Sequence, residues 1–370
     1  MKILIATGIY PPQIGGPATY SKLLYDELPK RGIAIDIASF GEYISRPWGI
    51  RHILYFASLL RRAVDADIVY AQDPVSVGLP ALFAAQIRGK KFVVKIVGDY
   101  AWEQGKQRFG VTESLDEFSL HYHRYSWQVR LLKKIEKYVA DGAVRVITPS
   151  KYLRSIISNW GVDASKISVI YNGFHIDDIH KTPSALKRSL DLSGHVVVSV
   201  GRLVPWKGMG ALIEAFVGVR QAIPNATLII IGDGPEMENL KLQSTNHKLQ
   251  DCIRFTGQLS QMKVFEYVKA ADVFALNTSY EGFSHQLLET MALNTPIVTT
   301  AVGGNIELIR DGENGLLVGV DDRDGIIRSL TRLLSDETYA TALARKAKKD
   351  VAAFTDEVML STLEKELRTL

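Results

Sequence analysis

The sequence element that decides the fold is Asn277-Thr-Ser-Tyr-Glu281-Gly-Phe-Ser-His-Gln-Leu-Leu-Glu289-Thr-Met291. A continuous apolar run, Val273-Phe-Ala-Leu276, precedes it and is typical of a strand buried on both faces. Glu281-Gly282 predicts a turn. The apolar residues that follow recur at the spacing of a helix that begins at about Ser284 and packs one face on a sheet. The stretch therefore predicts a strand, a turn and a helix, the repeating unit of α/β proteins.

Two carboxylates, Glu281 and Glu289, lie on either side of this helix start with seven residues between them. We expect Glu281 in the loop and Glu289 about a turn and a half into the helix, on the face that it shares with His285. A helix start presents unpaired N–H groups that suit an anion, and ionised carboxylates accept hydrogen bonds from hydroxyl groups. The pattern therefore favours a ligand with both phosphate and sugar. The alternative is an ordinary helix in which Glu289 is solvated or pairs with His285.

The composition is that of a globular protein, with 370 residues, 46% hydrophobic and 23% charged, and the length predicts two domains. The single cysteine, Cys252, excludes an intrachain disulfide and favours a reducing compartment. Residues 1–8 predict a first strand rather than a signal peptide, and no run of 18 apolar residues occurs. We expect a cytoplasmic protein, and a peripheral location at the inner face of the membrane stays open.

The formal net charge of +4 is distributed unevenly along the chain. Residues 1–170 carry 23 Lys and Arg against 15 Asp and Glu, a charge of +8, whereas the remainder carries −4. A nucleic-acid-binding protein would show a stronger basic patch, so we expect no nucleic-acid partner. The basic first half is compatible with an anionic ligand or an anionic membrane surface.

The first half of the chain alternates short apolar runs with helical patterns, which predicts a parallel sheet with helices on both faces. The predicted strands are 2–6, 33–38, 68–70, 92–97, 143–148 and 167–170. A helix is predicted to begin near Pro17, just after Gly15-Gly16. This glycine pair would let the backbone approach a ligand closely, although a plain flexible turn is the alternative.

Three further segments of the first half bear on function. Residues 99–120 are predicted to be a long loop. Residues 121–138 predict a helix with many basic and aromatic side chains; an ordinary domain helix is favoured over one lying on a membrane. Asp65-Ala-Asp67 resembles a metal-binding motif but falls between a helix and a strand, and His121 and His123 are isolated. We therefore predict no metal site at either place.

The second half repeats the strand–helix alternation after a predicted interdomain linker at 174–194. Its predicted strands are 195–200, 227–231, 253–255, 273–276 and 296–299. Two such sheets predict a cleft between domains, with ligands beyond the carboxyl ends of the strands. Arg202 and Lys207 follow the first of these strands and could clamp a diphosphate together with helix N–H groups. The alternative is two solvated surface cations.

These motifs resemble those of the retaining glycosyltransferases of family 4, which have the two-domain GT-B fold. The resemblance covers essentially the whole chain. The matching motifs are Gly201-Arg-Leu-x-x-x-Lys207-Gly, Gly232-x-Gly-Pro235, Glu281-Gly-Phe-x-x-x-x-x-Glu289 and Gly15-Gly16. The resemblance implies an acceptor domain at 1–174, a nucleotide-sugar domain at 175–354, and a last helix at 355–370 that crosses back onto the first domain.

The resemblance also implies a role for each matching residue. Arg202 and Lys207 would neutralise the donor diphosphate, and Glu289 would accept from the ribose hydroxyls. Glu281 and the backbone of Gly282, Phe283 and Ser284 would hold the donor sugar. The remaining donor contacts would come from Gly15, Gly16, Gly201 and Gly232, with the nucleobase meeting Gln258 and Leu259 in the loop that begins at Gly257.

The chain departs from the family pattern at two places. Many relatives carry a histidine near the reacting face of the sugar, where this sequence has Gly98. Either the neighbouring Asp99 supplies the polar contact, which makes it a fourth candidate catalytic residue beside Arg202, Lys207 and Glu281, or the site differs here. Leu293-Asn294 replaces the small residues common in relatives, and we expect only a change in packing.

The implied reaction is transfer of a hexose with retention, without a metal ion or another cofactor. The donor would be GDP-mannose or a UDP-hexose, and the acceptor a sugar or a lipid-linked glycan. Two alternatives remain: a sugar-nucleotide 2-epimerase or hydrolase with the same fold, and a non-catalytic nucleotide-sugar-binding protein. A dehydrogenase is disfavoured because no Gly-x-Gly-x-x-Gly follows the first strand.

Overall fold

The chain folds into two compact units, seen in a computed structural model that describes residues 1–13, 15–176 and 179–370. The first unit comprises Met1–Tyr171 with Glu357–Leu370, and the second comprises Asn172–Asp356. Each unit contains one six-stranded sheet in which every described strand pair is parallel. The predicted α/β class with two parallel sheets is confirmed.

The first unit has strands in the order β2-β1-β3-β4-β5-β6. They are β1 (Lys2–Thr7), β2 (Ala34–Ser39), β3 (Ile68–Ala71), β4 (Lys91–Lys95), β5 (Arg145–Thr148) and β6 (Ile167–Val169). The helices are α1 (Gly16–Glu27), α2 (Trp48–Arg62), α3 (Gly78–Arg88), α4 (Tyr100–Arg108), α5 (Leu115–His121), α6 (Trp127–Gly142), α7 (Lys151–Asn159) and, at the end of the chain, α16 (Asp356–Arg368).

Helices cover both faces of this sheet, which explains why its strands are apolar throughout. Ile3 and Ile5 of β1 belong to a buried cluster with Leu24 of α1 and with Leu360 and Leu363 of α16. Side chains alternate between the two faces of a strand, so residues such as Leu4 point to the opposite face. There α2 contacts α3, and α3 contacts α6.

The second unit has strands in the order β12-β11-β10-β7-β8-β9. They are β7 (His195–Val200), β8 (Ala226–Ile231), β9 (Ile253–Gly257), β10 (Val273–Leu276), β11 (Ile297–Thr300) and β12 (Leu316–Val318). The helices are α8 (Pro183–Ser189), α9 (Met209–Ala222), α10 (Met237–Asn246), α11 (Gln261–Ala270), α12 (His285–Ala292), α13 (Asn305–Leu308), α14 (Arg323–Ser335) and α15 (Glu337–Asp350).

The core of the second unit lies between its sheet and two long helices. Phe216 of α9 and Leu330 of α14 are fully buried in one cluster with Val197, Leu228 and Val273 of the central strands. This packing makes the carboxyl ends of β7 and β10 rigid neighbours, because these strands pair directly. The short strand β12, which the sequence analysis did not predict, extends the sheet beyond β11.

The prediction of a long loop at 99–120 is wrong. This segment forms α4 and α5, and both helices begin at a capping residue. Asp99 accepts a hydrogen bond from the Trp102 N–H at 2.9 Å, and Ser114 forms a reciprocal capping box with Glu117. Such caps satisfy N–H groups that have no partner inside the helix, which stabilises even short helices.

Two other segments also differ from expectation. The helix predicted at 121–138 is interrupted by a 3-10 turn at Tyr122–Arg124, and α6 begins only at Trp127. The linker predicted at 174–194 contains α8, which begins with Pro183 after the cap Thr182. Two linker positions, 177 and 178, lie outside the described residues. None of the described helices is both long and apolar enough to cross a membrane.

Candidate active site

The loops after β7 and β10 are joined by hydrogen bonds at the carboxyl ends of these two strands. The Thr278 hydroxyl donates to the Trp206 carbonyl at 2.9 Å, and the Ser279 N–H donates to the same carbonyl at 2.8 Å. The Asn277 amide donates to the Gly208 carbonyl at 3.0 Å. The two motifs that carry Lys207 and Glu281 are therefore held against each other by hydrogen bonds to the backbone carbonyls of Trp206 and Gly208.

Two glycines allow these loops to approach so closely. A Cβ atom at Gly208, where φ is +59°, would lie 2.1 Å from the Asn277 carbonyl oxygen. At Gly232, where φ is +137°, it would lie 2.0 Å from the carbonyl oxygen of Gly201. Only glycine fits such backbone contacts, so both motif glycines shape the loops around Lys207.

Lys207 and Glu281 form an ion pair between these two loops. The Lys207 ammonium lies 2.5 Å from the Glu281 carboxylate, and the side chains are 13% and 15% exposed. Partial burial strengthens the attraction relative to a surface pair and fixes both charges in position. Arg202 lies on the same loop as Lys207 and is exposed. The structure thus brings together Lys207 and Glu281, which are far apart in sequence.

The turn before α12 is fixed by its backbone and by a cap. The Gly304 N–H donates to the Glu281 carbonyl at 2.8 Å, and the Phe283 ring packs near Phe354 with 5.8 Å between centroids. The fully buried Ser284 hydroxyl accepts from the Leu287 N–H at 3.3 Å. Helix α12 begins close to its predicted start, and Ser284 is its N-cap, so the Ser284 hydroxyl is used within the helix.

Glu289 lies in a half-buried position on α12. The Gln261 side-chain amide donates to its carboxylate at 3.3 Å. Burial raises the pKa of Glu289 to about 7, and the Gln261 hydrogen bond opposes that rise. The exposed Gln258 and half-buried Leu259 follow β9 and lead into α11, the helix that carries Gln261. The predicted ribose and nucleobase residues therefore occupy connected elements.

Gly15 and Gly16 lie in the first unit, at the start of α1. Gly15 is the N-cap residue, and its carbonyl accepts from the Thr19 N–H at 3.0 Å. The preceding residue of the predicted loop, Ile14, lies outside the described residues. The predicted contact of these glycines with donor phosphates stays a prediction.

Comparison with known proteins gives the family. Residues 14–178 match the family described as Glycosyltransferase Family 4, and residues 186–350 match Glycosyl transferases group 1. The chain belongs to the family-4 glycosyltransferases. It is 27% identical to an uncharacterised glycosyltransferase of Methanocaldococcus jannaschii, over 95% of this chain and 93% of that protein.

Two further relatives extend this comparison. A GDP-mannose-dependent phosphatidylinositol monomannoside mannosyltransferase of Mycobacterium tuberculosis is 27% identical over 64% of this chain and 64% of that protein. The crystal structure of Anabaena HepE in complex with UDP-glucose has a TM-score of 0.79, with 21% identity and 100% coverage of both chains. This structural likeness shows that the glycosyltransferase has the GT-B fold.

The surroundings of Asp99, the fourth candidate catalytic residue of this glycosyltransferase, indicate a structural role. Its side chain is fully buried in the first unit, and it caps α4. One carboxylate oxygen accepts from the Trp102 N–H, and the other contacts the Lys133 ammonium. Contact with a donor sugar, for which Asp99 was a candidate, does not fit this environment, because both oxygens are engaged inside the unit.

Lys133 also contacts a second buried carboxylate, Glu136, at 3.3 Å. Glu136 in turn accepts from the Tyr100 N–H at 2.6 Å. Burial, together with the nearby Asp99 carboxylate, raises the pKa of Glu136 well above its ordinary value. This network was not predicted from the sequence, although Lys133 and Glu136 are spaced three residues apart, as neighbours on a helix are.

The two segments considered for metal binding have other contacts. The Asp67 carboxylate accepts from the Lys2 N–H at 2.7 Å, and Asp65 lies 3.9 Å from the Lys2 ammonium. His121 and His123 have ring centroids 6.4 Å apart. Within the described ranges, no group of three or more His, Cys, Asp or Glu residues is arranged to hold a metal ion.

Proposed function

We propose that this glycosyltransferase moves a hexose from a nucleotide diphosphate sugar to a sugar or lipid-linked glycan acceptor, with retention and without a metal ion. We propose GDP-mannose or a UDP-hexose as the donor. The names of the mannosyltransferase relative and of the UDP-glucose complex support these donors. We place the reaction in the cytoplasm, because a chain of 370 residues with one cysteine is suited to a reducing compartment.

The ion pair of Lys207 and Glu281 at the ends of β7 and β10 carries this proposal. A departing nucleoside diphosphate gains negative charge, which a fixed ammonium group stabilises without rearrangement. Helix α9 begins directly after Lys207 and Gly208, and its N–H groups add partial positive charge there. Glu281 holds Lys207 in position and offers a carboxylate that can accept from a sugar hydroxyl.

In the proposed reaction, the bond between the anomeric carbon and the diphosphate oxygen breaks. The acceptor oxygen forms a new bond to that carbon on the same face, so the configuration is retained. The acceptor proton passes to the leaving diphosphate. Lys207 and the exposed Arg202 would stabilise the charge that develops there, while Glu289 would bind the ribose hydroxyls through its ionised carboxylate.

The donor and the stereochemistry can be tested together by proton NMR. The purified protein is incubated with separate GDP-, UDP- and ADP-sugars, and slow hydrolysis is followed without acceptor or added metal. We expect one donor to release a sugar whose first-formed anomer matches the donor. An inverted first anomer would contradict retention, and a change at C2 would favour epimerisation.

The role of Lys207 can be tested with Lys207→Ala and the control Lys263→Ala, an exposed lysine of the same unit that pairs with Glu266. We expect Lys207→Ala to lower turnover at least ~10²-fold, which is comparable to the loss of one preorganised hydrogen-bond donor from an enzyme active site. We expect the turnover of the control variant to be unchanged. Near-normal turnover in a folded Lys207→Ala variant would remove Lys207 from the mechanism.

A further inference from the structure

The first unit exposes an unusual number of large apolar side chains on one layer of helices. Helices α2, α3 and α6 form this layer, on the sheet face opposite α1 and α16. On α2, Ile50, Ile53 and Leu54 are all exposed, with Ile53 at 69%. Their spacing of three and four residues places them on one face of the helix. The outward face of α2 is therefore also apolar, whereas an ordinary surface helix turns a polar face to solvent.

The neighbouring helices continue this apolar surface. Phe83 and Ile87, four residues apart on α3, are both exposed, and Ile87 is 63% exposed. On α6, Trp127, Leu131 and Tyr138 are exposed, and Trp127 is 64% exposed. The rings of Phe83 and Tyr138 lie 6.2 Å apart, so the surfaces of α3 and α6 are continuous. We call the exposed sides of α2, α3 and α6 the outer face.

The charges on the outer face are almost all positive. Helices α2 and α3 contain no Asp or Glu anywhere in their sequences. Arg61 ends the exposed stripe of α2, and Arg130 and Lys134 are exposed on α6 beside Leu131. The carboxylates of α6 are Glu136, which is buried, and Asp141, which pairs with Lys137 at 3.0 Å. The outer face thus combines apolar side chains with cations that have few acidic neighbours.

We propose that the outer face docks this protein onto the surface of an anionic lipid bilayer. Apolar side chains, above all tryptophan and tyrosine, enter the boundary between headgroups and acyl chains, while cations attract the anionic headgroups. Two copies of the chain meeting through this face would bring like charges together, which disfavours self-association. Docking would hold the enzyme at the surface where a lipid-linked acceptor lies. It requires neither donor nor transfer, so it can hold or fail independently of the proposed function.

The test is cosedimentation of the full chain with vesicles of phosphatidylcholine alone or mixed with phosphatidylglycerol. We expect binding to the mixed vesicles at about 0.1 M salt and much weaker binding at about 1 M, because the screening length falls from about 10 Å to about 3 Å. Brominated lipid should quench part of the tryptophan fluorescence, and Trp127→Phe should remove that part. No binding to the mixed vesicles at low salt would overturn the proposal.

The face itself is tested with the double variant Ile53→Ser, Lys134→Glu. Its matched control is Leu242→Ser, Lys241→Glu in α10 of the second unit, where Leu242 is 60% exposed. We expect the first variant to lower the apparent partition coefficient at least about 10-fold, since each surface cation contributes about 5-fold, and the control to bind as wild type.

Two results would overturn this assignment of the face. The first is equal binding by both variants while their urea midpoints stay unchanged. The second is a lipid-free dimer that Ile53→Ser, Lys134→Glu dissociates, because that would assign the outer face to contact between copies.

Discussion

Replacing Lys133 with methionine would leave two carboxylates buried without their shared cation. Lys133 is 1% exposed, Asp99 and Glu136 are fully buried, and the ammonium contacts both carboxylates. Methionine keeps most of the volume of the lysine stem, so the change removes the charge more than the packing. The Lys133 Nζ also lies 3.6 Å from the centre of the Trp160 ring, and the substitution removes this cation–π contact as well.

The expected cost is about 3–5 kcal/mol of the free energy of unfolding, the usual range when one partner of a buried ion pair is removed. Lys137→Met, one turn further along α6, is the matched control. Lys137 pairs with Asp141 at 3.0 Å in a solvent-exposed position, so its loss should cost less than about 1 kcal/mol. The same substitution on the same helix should therefore have two very different effects.

The pH dependence gives a second, independent signature. The pKa of Glu136 is raised by burial and by Asp99, and Lys133 opposes that rise. A carboxyl group with a raised pKa stabilises the fold below its ordinary pKa, and this contribution is lost as the pH rises through the folded-state value. Removing Lys133 raises the Glu136 pKa further. Lys133→Met should therefore go on losing stability up to a higher pH than wild type, and adding Glu136→Gln should remove that loss.

Urea unfolding followed by tryptophan fluorescence measures these effects, since Trp102 and Trp160 lie within or beside the network in the first unit. A shift of the unfolding midpoint in Lys133→Met no larger than in Lys137→Met would refute the buried ion cluster. So would a Lys133→Met cost that does not change between mildly acid and mildly alkaline pH.

Two further predictions concern the second unit. Because the Glu289 pKa is about 7 and an ionised carboxylate accepts from hydroxyl groups more strongly than a protonated one, the affinity for the nucleotide sugar measured by calorimetry should rise with pH through neutrality. Glu289→Gln should bind more weakly and without that slope; an unchanged slope would exclude Glu289 as its source. Gly232→Ala should destabilise the protein by about 1–3 kcal/mol, because its Cβ would lie 2.0 Å from a carbonyl oxygen. Gly49→Ala, with no atom within 4 Å, is the control for thermal unfolding, and equal melting temperatures would contradict the close contact.

The sequence determined the alternation of strands and helices and the local geometry of the main motif. Strand β10 spans Val273–Leu276 as predicted, and α12 begins close to its predicted start, with Ser284 as the N-cap. These features depend on short-range properties: an apolar run buried on both faces, helical spacing of apolar residues, and a side chain that accepts from an N–H three residues on. The prediction of a loop at 99–120 was wrong, although this segment contains two local helix signals of the same kind. Asp99 caps α4 and Ser114 caps α5.

Only the tertiary structure decided which charges meet. Lys207 and Glu281 are 74 residues apart, and their pairing follows from the direct contact of β7 with β10. Asp99 and Lys133, 34 residues apart, are joined because α4 packs against α6, which makes Asp99 a buried structural residue instead of a polar group at the sugar. Strand order and helix packing bring distant side chains together. Burial then shifts the pKa values of their ionisable groups, as it does for Glu289. Local sequence contains neither strand order nor burial, so these contacts were settled by the fold.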